Sequence, residues 1–283
     1  MTAGSPALVR TLSWNIFHGL DEPPDPGLMT WRSRLLRVTE VNATHAQVNR
    51  PLLDEFTGVL AGCEWDVALL QEAPPRWLSP LARGVDASGA SLALTARNWG
   101  GPVRAWVADR NPDLMGPREG GSNQLLVRPP WRIAETRRLT LTRRPERRRM
   151  LWARLRGPGG ATLTVANMHL TARDSPKSGR EAVLAAEHAV AWAGDDPLVF
   201  GGDLNAPDTV GELRERFGFE PTPGEQPIEH MLGRGLEVVD PPRELPPEAH
   251  EVPGPEGRRL RLSDHPPLVA CFGLASGLRQ AAG

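Results

Sequence analysis

Short apolar segments alternate with polar, turn-rich stretches along the chain. Residues 8–17 have a period of two, with Leu12, Trp14 and Ile16 on one face and Ser13 and Asn15 on the other. This alternation is typical of a half-buried strand. Further apolar runs predict strands at 66–71, 123–128, 151–156, 161–170, 197–202, near 236–240 and at 259–270.

Fewer segments have the spacing of a helix. A helix is predicted over 51–62, where a proline stands at the start, and a short one over 208–217. The segment 179–193 places Val183, Ala186 and Val190 on one helical face. Between two predicted strands, the Gly-Pro-Gly-Gly run at 157–160 predicts a hairpin turn.

The order of these elements indicates the fold class. Strands and helices follow one another without a regular βαβ rhythm, which predicts an α+β fold with two sheets packed face to face. The Pro-rich stretch 221–257 is predicted to be a long surface loop. Because we find neither a repeat nor a break in composition, we predict one domain over 1–283 with its core at about 8–272.

Composition excludes several protein classes. The 283-residue chain is 40% hydrophobic and has a formal net charge of −1, unlike a disordered chain. No apolar run reaches the ~18–20 residues of a spanning helix. The separated Cys63 and Cys271 exclude a disulfide framework and a cysteine-based zinc site. The first thirteen residues lead into a strand and leave no room for a signal sequence. We therefore expect a cytoplasmic protein, a monomer by default.

Polar side chains stand where predicted strands end, and sheet scaffolds present reactive groups at such positions. Each one alone has an ordinary structural explanation, because Asp and Asn after Gly-Gly commonly make a turn and a Glu at a strand end is usually solvated. Their occurrence together is what favours a shared site. The residues are Asn15, Glu72, His169, Asp203, Asn205, Asp264 and His265.

These residues lie in five short motifs, which are WNI, LLQE, NMHL, GGDLNAP and SDHPPL in this order. The series resembles the endonuclease/exonuclease/phosphatase superfamily, and the resemblance runs from about residue 9 to 270. It implies a four-layer α/β-sandwich in which helices flank two mixed sheets. It also implies an enzyme that cleaves phosphate esters with Mg²⁺ or Mn²⁺.

The residue types suit this chemistry. Glu72, Asn15 and Asp264 offer the hard oxygen ligands that Mg²⁺ prefers, and the metal would polarise the phosphoryl oxygen. Asn205 and His169 can donate hydrogen bonds to non-bridging phosphate oxygens. These five side chains would together hold the metal and the transferred group.

His265 is the candidate general base, since an imidazole takes a proton from water near neutral pH. In the resembling family an Asp before a His orients the base. The corresponding stretch here is Ile228-Glu229-His230, so Glu229 would take that role; alternatively, it is an ordinary loop acid. For Asp203 two roles stay open, which are positioning the attacking water and ordering the site around the metal.

Two weaker matches point to phosphate contacts. GGSNQLL resembles a family strand with a polar residue near the site, here Ser122 or Asn123, although a turn entering a strand explains it equally well. Arg147 begins a basic run before MLWARL, and residues 128–156 hold eleven Arg against two acids. Arginine clusters bind phosphate and steer polyanions. They also keep an exposed strand edge from pairing.

Two departures concern the branch of the family. The apurinic-site endonuclease branch tends to have Asp at the position of Phe17 and Tyr at that of His169, and this chain contains no Tyr. The resemblance thus favours the deoxyribonuclease-like and phosphatase-like members over abasic-site cleavage. We expect one metal, held through Glu72 and Asn15, with His18 as a substitute ligand to be considered.

The leading hypothesis is a metal-dependent nuclease that acts on phosphodiester bonds. The first alternative is the same chemistry on a small phosphate ester, such as an inositol phosphate, a phospholipid headgroup or a nucleotide, because selectivity comes from loops around the site. In that case a closed pocket formed by 21–50 and 221–257 would replace a long basic groove. The second alternative is a catalytically inactive family fold that serves as a binding protein.

Overall fold

The computed structural model describes residues 7–95, 101–220 and 229–274. Its strands are β1 (Ala7–Asn15), β2 (Glu40–Val41), β3 (Ala46–Gln47), β4 (Val67–Ala73), β5 (Gly89–Leu94), β6 (Ser122–Val127), β7 (Arg132–Thr142), β8 (Arg148–Arg156), β9 (Thr162–His169), β10 (Leu198–Asp203), β11 (Glu229–Arg234), β12 (Glu237–Glu244), β13 (Glu251–Pro253), β14 (Arg259–Arg261) and β15 (Leu268–Leu274). Its α-helices are α1 (Trp31–Leu36), α2 (Leu53–Gly62), α3 (Leu78–Gly84), α4 (Gly101–Ala108), α5 (Pro112–Glu119), α6 (Ser175–Ala193) and α7 (Val210–Phe217).

Two large mixed sheets form the centre of the molecule. The six-stranded sheet has the order β12-β15-β1-β4-β6-β5, and the five-stranded sheet has the order β11-β10-β9-β8-β7. Each contains one parallel pair, β1 with β4 and β9 with β10, among antiparallel neighbours. The strands of each parallel pair therefore end at the same edge of their sheet.

Three apolar clusters separate four layers. The inner faces of the sheets meet through residues such as Leu69, Leu151 and Phe272. The outer face of the six-stranded sheet, including Trp14, packs on α2 and α3. The outer face of the five-stranded sheet packs on α6 and α7 around residues such as Phe200. The predicted α+β four-layer sandwich is confirmed. The prediction that one domain spans 1–283 stays a prediction.

A buried polar bridge joins the two sheets near the edge where the parallel pairs end. Gln71 donates through Nε2 to Asn167 Oδ1 at 2.8 Å and to Ser13 Oγ at 3.1 Å. Asn167 donates through Nδ2 to the carbonyls of Leu70 at 3.0 Å and Gln124 at 2.7 Å. These bonds fix the position of one sheet relative to the other, because sliding the sheets would leave buried polar groups without partners, which is costly.

Two sequence interpretations need correction. The stretch 221–257 is not one long loop, since its described part forms β11, β12 and β13. The strand predicted at 259–270 is divided into β14 and β15 by the Ser-Asp-His-Pro-Pro segment. The pairing of β12 with β15 is irregular, with register shifts at Asp240, and irregular pairing removes the alternation that reveals a strand. Among the described residues, no helix is long and apolar enough to cross a membrane.

Candidate active site

The carboxyl ends of four strands bring the predicted side chains to one edge of the sandwich. Asn15 ends β1 opposite Gln71 of β4, and Glu72 follows Gln71 directly. In the other sheet, Asp203 at the end of β10 lies opposite His169 at the end of β9. Parallel pairing within each sheet, and the polar bridge between them, thus place residues that are far apart in sequence side by side.

A chain of polar contacts crosses the gap between the sheets. The Nδ2 of Asn15 donates to Asp203 Oδ2 at 3.1 Å, and His169 Nε2 is 3.5 Å from the same oxygen. The other ring nitrogen of His169 is 3.4 Å from Glu72 Oε1, and Glu72 Oε2 is 3.2 Å from His18 Nε2. The amide, two carboxyl groups and two imidazoles therefore form one connected group.

The segment between β14 and β15 closes over this group. Ser263 Oγ donates to the carbonyl of Asn15 at 2.6 Å, and Ser263 N donates to the carbonyl of Leu20 at 3.0 Å. The indole of Trp14 donates to the carbonyl of His265 at 2.8 Å. The charge of His265 acts on the carboxyl groups of Glu72 and Asp203, whose pKa values it lowers. The predicted base thus lies on the same side of the molecule as Glu72.

Burial dominates the titration of the group. It raises the pKa of Glu72 to about 7, although the neighbouring Arg148 charge opposes it. Burial likewise raises the pKa of Asp203 to about 6, with His265 opposing. It lowers the pKa of His18 to about 4 and that of His169 well below its usual value. Desolvated carboxyl groups surrounded by neutral imidazoles are ready to accept a cation.

The donor set fits one hard divalent ion. Glu72 and Asp264 supply carboxylates and Asn15 an amide oxygen, which suits Mg²⁺ because it usually binds one or two carboxylates and keeps several waters. Two buried polar atoms, Asp203 Oδ1 and Asn205 Nδ2, have no hydrogen-bond partner among the described residues. In that part of the chain, no group of three or more His, Cys, Asp and Glu side chains is arranged to hold a metal ion, so most ligands of such an ion would be waters and substrate oxygens.

The backbone is strained at the site. Of the nine non-glycine residues with positive φ in the described ranges, five belong to this edge. They are Phe17 (44°), His18 (55°), Glu72 (52°), Asn205 (48°) and Ser263 (66°). Left-handed non-glycine residues cost of order 1–3 kcal/mol each, and such residues cluster at functional sites. The left-handed Asn205 is held through its carbonyl, which accepts a hydrogen bond from Ser178 Oγ at 2.7 Å.

Three further predicted residues make contacts through the backbone. Asn123 is fully buried and donates through Nδ2 to the carbonyl of Arg149 at 2.7 Å, which ties β6 to β8. Arg147 donates through Nε to the carbonyl of Thr95 at 3.0 Å. Glu229 begins β11, with its Cα opposite that of Asp203. Their functional roles stay predictions.

Within the basic run that begins at Arg147, Arg148 is the residue whose charge acts on the site. Its guanidinium pairs with Glu146 at 2.9 Å, and its charge acts on His18, Glu72, His169 and Asp203. Three consecutive arginines gave no means of choosing among them. The register shift between Thr140 and Thr142 interrupts the β7–β8 pairing opposite Arg148 and Arg149, so period-two alternation fails here.

Comparisons with known proteins agree with this geometry. A model described as the Endonuclease/Exonuclease/phosphatase family matches residues 12–265. A mannosyl-6-phosphatase of Bacteroides thetaiotaomicron is 13% identical to this chain. The superposition covers 93% of this chain and 99% of the phosphatase, with a TM-score of 0.60. The human Nocturnin catalytic domain with bound sulfate is 15% identical. The superposition covers 95% of this chain and 93% of the Nocturnin domain, with a TM-score of 0.62.

Truncated Caenorhabditis elegans TDP2 is also similar. It is 15% identical, and the superposition covers 94% of this chain and 97% of the TDP2 chain, with a TM-score of 0.57. No curated protein matches the sequence. At these identities the solved structures establish the shared fold, and the family model extends over most of the chain.

Proposed function

The chain belongs to the endonuclease/exonuclease/phosphatase family, whose members are hydrolases of phosphoester bonds, and from this premise we propose that it cleaves nucleic-acid phosphodiesters with Mg²⁺ or Mn²⁺. The observation that carries the proposal is the convergence of Glu72, His169, Asp203 and His265 at one edge. We assign metal binding to Glu72, Asn15 and Asp264. When bound, the metal supplies polarisation of the phosphoryl group and stabilisation of the leaving oxygen.

The remaining side chains bind the phosphate and move the proton. Asn205 has a buried Nδ2 without a partner among the described residues, so it offers a donor to a non-bridging oxygen. His169 supplies a second donor. His265 takes the proton of the attacking water, and the carboxylate of Asp264, 3.7 Å from His265 Nε2, stabilises the imidazolium that forms. Asp203, held by Asn15, positions this water.

An arginine cluster favours a polymeric substrate. The pKa of the Arg149 guanidinium is lowered by burial and then by the charges of Arg147, Arg138 and Arg143. Like charges held this close repel one another, and a polyanion removes that repulsion. Arg148 is adjacent in sequence to Arg147 and Arg149, and its charge lowers the pKa of His169, which supports a path for a polyanion from this cluster to the site.

The test is Mg²⁺-dependent cleavage of plasmid and of single-stranded oligonucleotides. Replacing Glu72 or His265 with Ala should lower the cleavage rate by about 10²–10⁴-fold. Glu212→Ala and His188→Ala change the same residue types on α7 and α6, and they should leave the rate unchanged. Cleavage that survives both site substitutions, or that persists after chelation of divalent ions, would refute the proposal.

A small phosphate ester is the second candidate substrate. A cavity of about 220 Å³ lies beside the site, and residues 17–47 supply most of its lining, which partly matches the closed pocket expected for such a substrate. The salt dependence of binding separates the two candidates, because binding of a polymer weakens steeply with salt.

We also propose a cytoplasmic location, since Cys63 and Cys271 are free thiols.

A further inference from the structure

The cavity beside the site contains polar groups that the proposed reaction does not use. Asp21, which lines it, is 3% exposed, and its Oδ1 has no hydrogen-bond partner among the described residues. The other oxygen of Asp21 accepts a hydrogen bond from Val48 N at 2.9 Å. A buried carboxyl oxygen without a partner is costly, and a ligand with a hydrogen-bonding edge would supply the missing bond.

A second carboxyl group lies in the same cavity. Asp113 Oδ2 accepts hydrogen bonds from Gln47 Nε2 at 2.8 Å and Ser33 Oγ at 3.3 Å. Both bonds go to one oxygen, and Oδ1 accepts none from the described residues. The amide of Gln47 is itself fixed by a second bond to the carbonyl of Val48 at 3.0 Å. Asp113 is therefore held in place with an acceptor available to a ligand.

The rest of the wall combines an apolar part with the polar Thr30 and the charged Arg34. Phe17, Leu20 and Met29 supply apolar walls. The volume of about 220 Å³ is below the ~300–1,000 Å³ that is usual for drug-sized ligands, so it admits one ring system rather than a whole nucleotide. Apolar walls with a few fixed polar groups at one edge are the features that hold and read an unstacked base.

We propose that this cavity binds the nucleobase next to the scissile phosphate and prefers bases with an exocyclic amino group. The inference rests on the proposed nuclease function. Asp113 would accept a hydrogen bond from the amino group, as acidic side chains do from cytosine N4. In uracil and thymine the ring N–H is flanked by two carbonyl oxygens, which a carboxylate repels.

The backbone places the cavity within reach of the site. Asp21 follows His18 by three residues, so their Cα atoms are at most about 11 Å apart. Leu20 lines the cavity, and its carbonyl accepts the hydrogen bond from Ser263 N that holds the loop of Asp264 and His265. The cavity and the site are thus neighbours along one short segment, which is the arrangement that the proposal requires.

Direct binding tests the inference without catalysis. We would titrate the full chain, free of metal, with adenosine, cytidine and uridine and follow binding by calorimetry. Cytidine and adenosine should bind at least about tenfold more tightly than uridine, which is the discrimination given by one good base contact. Asp113→Asn should reduce this preference, and Met29→Ala, at a half-exposed wall position, should weaken all three. Asp109→Asn, on an exposed residue outside the cavity, is the matched control.

A cleavage assay separates failure of this inference from failure of the proposed function. Oligonucleotides would carry one cleavable linkage next to cytidine, uridine or an abasic residue. Faster cleavage beside cytidine, lost in Asp113→Asn, supports the inference. Equal cleavage of all three, or equal or absent binding of the nucleosides, overturns the base site but leaves the nuclease intact. Cleavage of none of them refutes the nuclease itself.

Discussion

Replacing Asp21 with Asn removes one of the most unfavourably placed carboxyl groups in the described structure. Burial raises its pKa from the ordinary value near 4 to about 8. The folded state therefore keeps a proton that the unfolded state has lost, and stability falls as pH rises between these two values. The slope is about 1.4 kcal/mol per pH unit, which amounts to roughly 4 kcal/mol by pH 7.

The Asn side chain keeps an acceptor for Val48 N and cannot ionise. We expect Asp21→Asn and the wild type to have free energies of unfolding that diverge steadily from pH 5 to 8, with the variant less sensitive to pH. Urea denaturation at half-unit pH intervals measures this difference. Other carboxyl groups whose pKa is raised by burial, such as that of Glu72, contribute equally to the stability of both proteins. Their effect therefore cancels in the comparison.

Asp25→Asn is the matched control. Asp25 is exposed, and hydrogen bonds from Gly27 and Asn42 lower its pKa, so its contribution to stability is lost only as the pH falls through that lowered value. Above pH 5 its substitution should leave the slope unchanged. Parallel curves for the wild type and Asp21→Asn over pH 5–8 would refute the reasoning, because they would mean that Asp21 ionises in the folded protein as it does in the unfolded chain.

Four further predictions concern the scaffold and the basic surface. Gly202→Ala should destabilise the protein by several kcal/mol in urea denaturation, because φ is +124° and the new Cβ would lie 2.1 Å from the Met168 carbonyl. Gly211→Ala in α7 meets nothing within 4 Å and should stabilise it by about 0.5–1 kcal/mol; a destabilisation equal to that of Gly202→Ala would contradict this. Asn167→Ala should cost about 2–3 kcal/mol by the same measurement, since it removes the hydrogen bonds that buried groups of the six-stranded sheet make to β9. Arg138→Ala should weaken oligonucleotide binding in a fluorescence titration and lower the salt slope by about one, and an unchanged slope would remove Arg138 from the nucleic-acid path.

The fold could be predicted where apolar and polar residues alternate along a strand. In β1 the alternation places Leu12 and Trp14 on the outer face of the six-stranded sheet. The predicted and observed bounds of this strand agree closely. The helix α6 extends four residues before its predicted start, because Asp174 caps it and the proline at 176 is tolerated in the first turn. β7 was not predicted, because mixed burial along its eleven residues conceals the alternation.

The site was predicted in outline because its residues follow buried strands. Asn15, Glu72, His169 and Asp203 meet at one edge for a reason that can be read from sequence, namely that parallel strands end together. The cavity beside it could not be predicted in this way. Asp21 lies in an irregular segment, and other parts of the cavity wall come from α1 and α5, which are distant in sequence but contact each other in the fold.

The pairing of β1 with β15 has a consequence for how the enzyme is made. Trp14 and His265, which are joined by a hydrogen bond, are 251 positions apart. A ribosome therefore synthesises almost the whole chain before the central strand of the six-stranded sheet acquires its last neighbour and the His265 loop closes. Contacts this distant in sequence form late and slowly. A polypeptide interrupted before residue 263 lacks both β15 and His265, so under the proposed function such a fragment would not cleave nucleic acid.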